Sequence, residues 1–254
     1  MEWSDHGIVL SARKHGETAA ILSVLTSEHG RHAGLVRGGA GRRQRGVLQQ
    51  GNFVAVTWRA RLEEHLGAFT VEMLHSISAQ WLDDPGRLAA LSAATAIVDF
   101  AVPEREPDVN IYRGLRTLIA ALDEDDWGVG YARWEFALLG ELGFGLDLSA
   151  CAATGQTDDL AYVSPKTGRA VSRAAGQVYH DKLLPLPGFL LDDGPETNDE
   201  VVEGLRLTGY FLDRRLFAPH QRQLPDARER LAARLARAIA ADGVRRDAGQ
   251  GSNQ

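Results

Sequence analysis

The chain has 254 residues, 44% of them hydrophobic and 24% charged, with a formal net charge of -6. That length and composition bury a proper core, fit two domains better than one, and argue against a protein coated uniformly in basic surface. The single cysteine, Cys151, excludes an intrachain disulfide and a cysteine-only metal site and fits a reducing cytosol.

No apolar run approaches the roughly 20 residues needed to cross a bilayer. The opening MEWSDHG has neither the basic segment nor the apolar core of a secretory signal, so a cytoplasmic protein is expected. Residues 1–80 carry nine basic and seven acidic side chains, the remainder nineteen and twenty-seven, so positive charge is local.

Taken in order, His6–Arg13 and Thr18–Thr26 are apolar runs of strand length. Arg31–Arg37 alternates around Ala33 and Leu35, Phe53–Trp58 is rich in β-branched and aromatic residues, and Leu66–Val71 supplies a fifth strand. Five short strands joined by tight glycine connections suggest a small barrel, since closure removes exposed edges.

After Glu72 the text turns helical. Helices are expected over Met73–Leu82, Arg87–Phe100, Val109–Leu122 and Trp127–Leu142. In the last two, Ile111, Leu115, Leu118 and Leu122, then Tyr131, Trp134, Leu138 and Leu142, recur every three or four residues. Residues 147–190 lack periodicity and read as an irregular insertion, with Tyr162–Ser164 and Ala170–Ser172 able to pair as a hairpin; Pro185, Pro187 and Pro195 mark the return. Asp199–Phe217 is the strongest helix, with a buried stripe of Val201, Leu205, Thr208, Leu212 and Leu216. A last helix spans Ala227–Ala241, with Leu231, Leu235 and Ile239 inward, and residues 242–254 read as a disordered tail. No internal repeat emerges, so a solenoid is not expected.

The segment RHAGLVRGGAGRRQRGVLQQGNFVAVTW, residues 31–58, places Arg37, Arg42, Arg43 and Arg45 within nine residues, with Arg31 and His32 upstream and no acid before Arg59. Glycines 38, 39, 41 and 46 loosen the crossing. Guanidiniums on such a loop, held by a barrel, suit a phosphate backbone. Phe53, Trp58 and Trp3 are candidates to stack on bases. Phe53 and Trp58 have opposite strand parity, however, so at least one points into the core. A solubilising surface is the alternative use of the basic loop.

A second basic group follows on the later helices. Arg206, Tyr210 and Arg214 are spaced four apart, with Arg215 and Arg222 beyond, and Arg230, Arg234 and Arg237 form a further stripe. An acidic peptide, a phosphate backbone, or ordinary pairing with Asp213, Asp226 and Glu229 would each account for them.

Nothing in the chain reads as catalytic machinery. There is no phosphate-binding loop ending in lysine and serine or threonine, no GxSxG elbow and no HExxH pair. His6, His15, His29 and His32 lie in the barrel half without carboxylates at ligand spacing. The acids at 123–126 read as a solvated helix junction. No cofactor and no metal are expected.

The serial pattern of GIVL, Gly16-Glu17, LTSEHG and the glycine-flanked Arg37, continuing through TGYFLDRRLFAPHQRQLPDARERL, resembles the RecO family of bacterial recombination mediators over essentially the whole length. YVSPKTGRAVS is similar to the alphaproteobacterial form. The resemblance implies an α+β protein: a five-stranded OB-fold barrel at residues 1–80, then a helical domain at 81–241 with a zinc-finger-like insertion at 147–190.

It also implies binding to single- and double-stranded DNA, strand annealing, and work with RecR, often RecF, to help RecA displace single-strand-binding protein in the cytoplasm, at the nucleoid. An RNA- or ribosome-associated scaffold is the alternative. DNA contact is expected at Arg31, Arg37, Arg42, Arg43, Arg45, Phe53 and Trp58. By the same resemblance, the acidic tail of single-strand-binding protein is expected against Leu205, Arg206, Tyr210, Arg214 and Arg215. Cys151 matches the first position of two CxxC pairs, but Thr154, Ser172 and Ala175 stand at the other three. Four ligands are needed, so the insertion is expected to hold no zinc.

Overall fold

The computed structural model describes the backbone of residues 1–191 and 197–250, and the side chains of these except Asn198 and residues 239–250. Pro195, the inward position assigned to Ile239, and residues 251–254 of the expected tail lie outside what is described.

Two compact units form, one of Met1–Ala120 with Pro225–Arg228 and the other of Ala121–Leu224 with Glu229–Gln254. The first holds strands β1 (Glu2–His15), β2 (Ala19–Thr26), β3 (Gly30–Val36), β4 (Phe53–Arg59) and β5 (Ala68–His75). They pair in the order β1-β2-β3-β5-β4, and β4 returns antiparallel to β1, which closes the ring. Only β3 and β5 are parallel, through Leu35 with Ala68 and Val36 with Phe69.

Period-two alternation decides which side chains fill the interior: Val54, Val56 and Trp58 from β4, Val36 from β3 and Phe69 from β5 pack with Val9, Leu22 and Val24. Trp58 donates its indole N–H to the Leu66 carbonyl at 3.0 Å. Gly67 lies so close over the ring that a Cβ would sit 2.4 Å from Nε1, and its φ of +64° is one that glycine adopts freely.

Two expected elements differ. The helix expected over Met73–Leu82 is instead the end of β5, to His75, followed by a short 3₁₀ turn at Ser78–Trp81. Pairing of Phe53 with His75 and Val54 with Met73 holds those residues extended, a non-local cause that overrides local propensity. The glycine-rich crossing after β3 contains a short helix, α1 (Arg42–Val47), in place of a loose loop.

The first unit extends beyond residue 80 because α2 (Pro85–Ala101) is tied to the barrel. Asp84 caps its start, accepting the N–H groups of Gly86 and Arg87, with Pro85 in the first turn. Near its end, Asp99 accepts the Ser11 hydroxyl at 2.7 Å and the Ser23 hydroxyl at 2.5 Å. Helix α3 (Val109–Ala121) follows and buries the expected Ile111, Leu115 and Leu118.

In the second unit α4 (Trp127–Glu141) and α6 (Asn198–Phe211) pack together. The buried Thr208 hydroxyl donates to the buried Glu135 carboxylate at 2.5 Å. The stripe of Val201, Leu205, Thr208, Leu212 and Leu216 is buried as expected, although the single expected helix widens into a π turn over Leu212–Phe217. The insertion is more ordered than the sequence suggests. Strands β6 (Leu160–Val163), β7 (Ala170–Ser172) and β8 (Leu184–Pro185) form a sheet in the order β7-β6-β8, followed within the segment by α5 (Arg173–Gly176) after β7. The last helix, α7 (Asp226–Gln250), runs past Ala241 into the segment read as a disordered tail.

Candidate nucleic-acid interface

The basic segment is fixed at both ends. After β3, Gly38 turns the chain at φ +69°, and Gly39 packs so tightly on β2 that a Cβ would lie 2.8 Å from that of Ala20. The Ala40 N–H then donates to the Thr18 carbonyl at 2.9 Å. At the other end the buried Asn52 donates its amide to the carbonyls of Gly46 at 2.9 Å and Val47 at 3.2 Å, satisfying acceptors that a helix end leaves open. Leu48, 4% exposed, drops into the barrel core beside them.

What this holds outward is charge. Arg37, Arg42, Arg43 and Arg45 are exposed. Among the described residues no carboxylate pairs with any of the four; Arg45 turns its Nε to the Ala40 carbonyl at 2.8 Å. Two grooves border α1. One, of about 650 Å³, is lined by Arg37, Gln44, Arg59, Arg61 and the outward side of β5 near Thr70. The other, of about 810 Å³, has Lys14 and Arg45 among polar Gln49, Gln50, Ser78 and Ser92. Arg59 is paired with Glu2 at 2.7 Å, whereas Arg61 is exposed. Lys14, Arg59 and Arg61 were missed by sequence reading because they lie outside the arginine-rich run and join it only through pairing between strands.

Other expected contacts sit elsewhere. Arg31 points its Nε at the Val102 carbonyl at 2.6 Å and lies 3.7 Å from Asp99 and 3.4 Å from Glu104, clamping the exit of α2. Trp58 is 1% exposed and belongs to the core, which removes it as a stacking surface. Trp3 already stacks on His29, with centroids 4.0 Å apart. Phe53 remains half-buried on the outer side of β4, edge-on to His75.

In the second unit, Arg206 and Arg214 are exposed and Tyr210 is half-buried. Leu205 is buried. Arg215 turns inward, donating to the Phe144 carbonyl at 3.0 Å with its guanidinium 4.6 Å over the Phe211 ring. Only the first three therefore present a continuous outward line.

Cys151 is 2% exposed, and its sulfur accepts the Ser172 N–H at 3.2 Å. The nearby Ser172 and Thr154 hydroxyls, with the Ser172 and Ala153 N–H groups, pull the thiol down to about 6 against the opposing push of burial. Among the described residues the buried Ser172 hydroxyl has no other hydrogen-bond partner. The turn is closed by Gly155 N–H to the Cys151 carbonyl and Cys151 N–H to the Gln156 carbonyl, at 2.8 and 2.7 Å.

The sequence matches two family descriptions in succession: Recombination protein O N terminal over residues 1–77 and Recombination protein O C terminal over residues 82–224. The chain belongs to the RecO family. Its RecO relatives include the DNA repair protein RecO of Rhodospirillum centenum, 53% identical over 246 residues, covering 96% of this chain and 98% of that protein. The protein of the same name from Rhodospirillum rubrum is 50% identical, covering 95% and 99%. That of a Cereibacter sphaeroides strain is 53% identical, covering 94% and 100%. The alphaproteobacterial likeness of the sequence is thus matched by these RecO relatives.

Proposed function

We propose that this chain is a DNA repair and recombination mediator of the RecF pathway. It is not an enzyme: it binds single- and double-stranded DNA, anneals complementary strands, and helps load RecA onto strands coated with single-strand-binding protein, together with RecR and RecF. Family membership and relatives named as DNA repair proteins support this reading.

The barrel is an OB-fold, a reading supported by the ring order, the parallel β3–β5 pair and the helix between β3 and β4. It forms the DNA-binding part, residues 1–80, ahead of a helical domain at 81–241. The observation that carries the proposal is the outward set of Arg37, Arg42 and Arg43 on and beside a clamped α1, with no carboxylate partner among the described residues and with Arg61 across the groove from Arg37. Exposed guanidiniums on a clamped backbone are open to phosphates, and each neutralised phosphate releases counterions. Arg206, Tyr210 and Arg214 receive the acidic tail of single-strand-binding protein through two charges and an aromatic anchor. The insertion is a zinc-finger-like module closed by hydrogen bonds around Cys151 rather than by metal. The protein works in the cytoplasm, at the nucleoid.

The test is annealing of complementary strands coated with the cognate single-strand-binding protein, alongside a DNA titration over a salt series. Changing Arg37, Arg42 and Arg43 together to alanine is expected to weaken binding at least tenfold at low salt. It should also lower the magnitude of the log–log salt slope by about 2 to 3, close to one per phosphate contact. Unchanged affinity and annealing would remove α1 as the DNA surface, and tighter binding to structured RNA than to DNA would point to an RNA partner.

A further inference from the structure

No carboxylate stands at ligand spacing from His29 along the strands as the sequence reads them, but the antiparallel pairing of β1 with β2, with Gly7 opposite Thr26, supplies one. Asp5 of β1 comes to lie beside the β2–β3 turn that carries Glu28 and His29, and ligand atoms of all three fall within 4.8 Å of one another. We propose that Asp5, Glu28 and His29 bind a divalent transition cation of the zinc class, with the remaining coordination positions left to water.

Three observations carry this. First, Asp5 Oδ2 and His29 Nδ1 are 3.3 Å apart. That is long for a charge-assisted hydrogen bond, which closes to about 2.7–2.9 Å. It matches instead the edge of roughly 3.3 Å for a tetrahedron built on metal–ligand bonds of about 2.0–2.1 Å. Second, two of the three ligands are held in place. Asp5 is 9% exposed; its Oδ1 accepts the His6 N–H at 2.7 Å and its Oδ2 the Glu28 N–H at 3.1 Å, while the His29 ring lies flat on Trp3 with 8° between planes. Such outer contacts orient metal ligands before the ion arrives. Third, a cavity of about 420 Å³ opens beside them, lined by Asp5, His6, Glu28 and Glu72 with no lysine or arginine among its walls. Glu28 has no basic partner among the described residues, so a cation meets uncompensated negative charge.

Imidazole with two carboxylates favours zinc, cobalt or nickel over magnesium, which prefers oxygen alone and keeps most of its waters. The ordinary alternative is an Asp–His pair on a solvated surface, which binds no zinc and leaves Glu28→Gln nothing to lose.

The experiment is calorimetric titration of the chelator-treated full-length protein with zinc, repeated with cobalt and with magnesium, and followed by tryptophan emission. One zinc per chain is expected, with magnesium at least a hundredfold weaker. Cobalt should quench Trp3, and Trp3→Phe should lose that part of the quench while still binding. Asp5→Asn and His29→Gln are expected to lose at least tenfold in zinc affinity. Glu28→Gln, at an exposed turn position that leaves the fold intact, should lose as much, and Cys151→Ser nothing. A cobalt spectrum free of a thiolate charge-transfer band places the ion away from Cys151. Absence of zinc binding, equal binding by the Glu28→Gln chain, or loss of binding in Cys151→Ser would each overturn the proposal.

Discussion

The side-chain oxygen of Asn52 accepts the backbone N–H of Ile77 at 2.9 Å while its amide nitrogen holds the last carbonyls of α1. One buried carboxamide therefore joins the arginine-bearing helix to the segment leaving the barrel. Replacing Asn52 by alanine strands the buried Ile77 N–H, worth about 1–3 kcal/mol, and frees the part-buried carbonyls of Gly46 and Val47. Asn52→Ala is expected to lose about 2–4 kcal/mol in urea unfolding. Amide exchange should accelerate first at residues 42–48, and DNA affinity should fall although no cation has been removed.

His32 gives the barrel a defined sensitivity to acid. It is 3% exposed among Trp3, Trp58 and Phe69, and neither ring nitrogen has a hydrogen-bond partner among the described residues. Burial, with the neighbouring charges of Arg105 and His29, lowers its pKa from 6.5 to about 4. Between those values the unfolded chain takes up a proton that the folded chain refuses. Stability therefore falls as pH drops below about 6.5 and stops falling on this account below about 4. At about 1.4 kcal/mol per pKa unit the loss is at most about 3.5 kcal/mol. His32→Phe is expected to flatten that part of the pH profile, measured by denaturant midpoints from pH 7 to 4.

The same residues show what the sequence made legible. Strand alternation and the stripe from Val201 to Leu216 are local patterns, and both place the right side chains inside. The opposite parity of Phe53 and Trp58 says that one of them is buried, but the choice of Trp58 is made by barrel closure. Strand pairing also brings Arg61 to Arg37, through β3 with β5, and Asp5 to His29, through β1 with β2, and pairing with β4 makes the last residues of β5 a strand rather than a helix. Each of these depends on a partner far away in the chain, which a reading along the chain does not register.

Cys151 combines a thiol pulled down to about 6 with near-complete burial. A lowered pKa alone would make it reactive at pH 7.5, but an alkylating agent cannot reach a closed turn. Native iodoacetamide labelling is expected to be slow and to accelerate in sub-denaturing urea, as local opening becomes the limiting step. Mass spectrometry of quenched time points measures it. Because the folded pKa lies below that of the unfolded thiol, this group's contribution to stability is present above about 8.5 and is lost as pH falls through about 6. Cys151→Ala should remove that pH dependence.

Arg31 and Arg61 separate architecture from binding. Arg31 donates to the Val102 carbonyl and faces Asp99, the carboxylate that also takes the Ser11 and Ser23 hydroxyls, so removing it leaves a half-buried acceptor and loosens α2 from the barrel. Arg31→Ala is expected to lose about 1–3 kcal/mol of stability, in line with hydrogen bonds to charged groups, with DNA affinity changed less than twofold under conditions where it remains folded. Arg61 is exposed on the groove shared with Arg37. Arg61→Ala should leave the unfolding midpoint within about 0.5 kcal/mol, as surface substitutions do, and lower the salt slope of DNA binding by about one. Urea unfolding and a salt-series titration on both variants measure the crossover. If Arg31→Ala lost affinity while keeping its stability, the DNA would have to run over the β3 end of α2 instead of along α1.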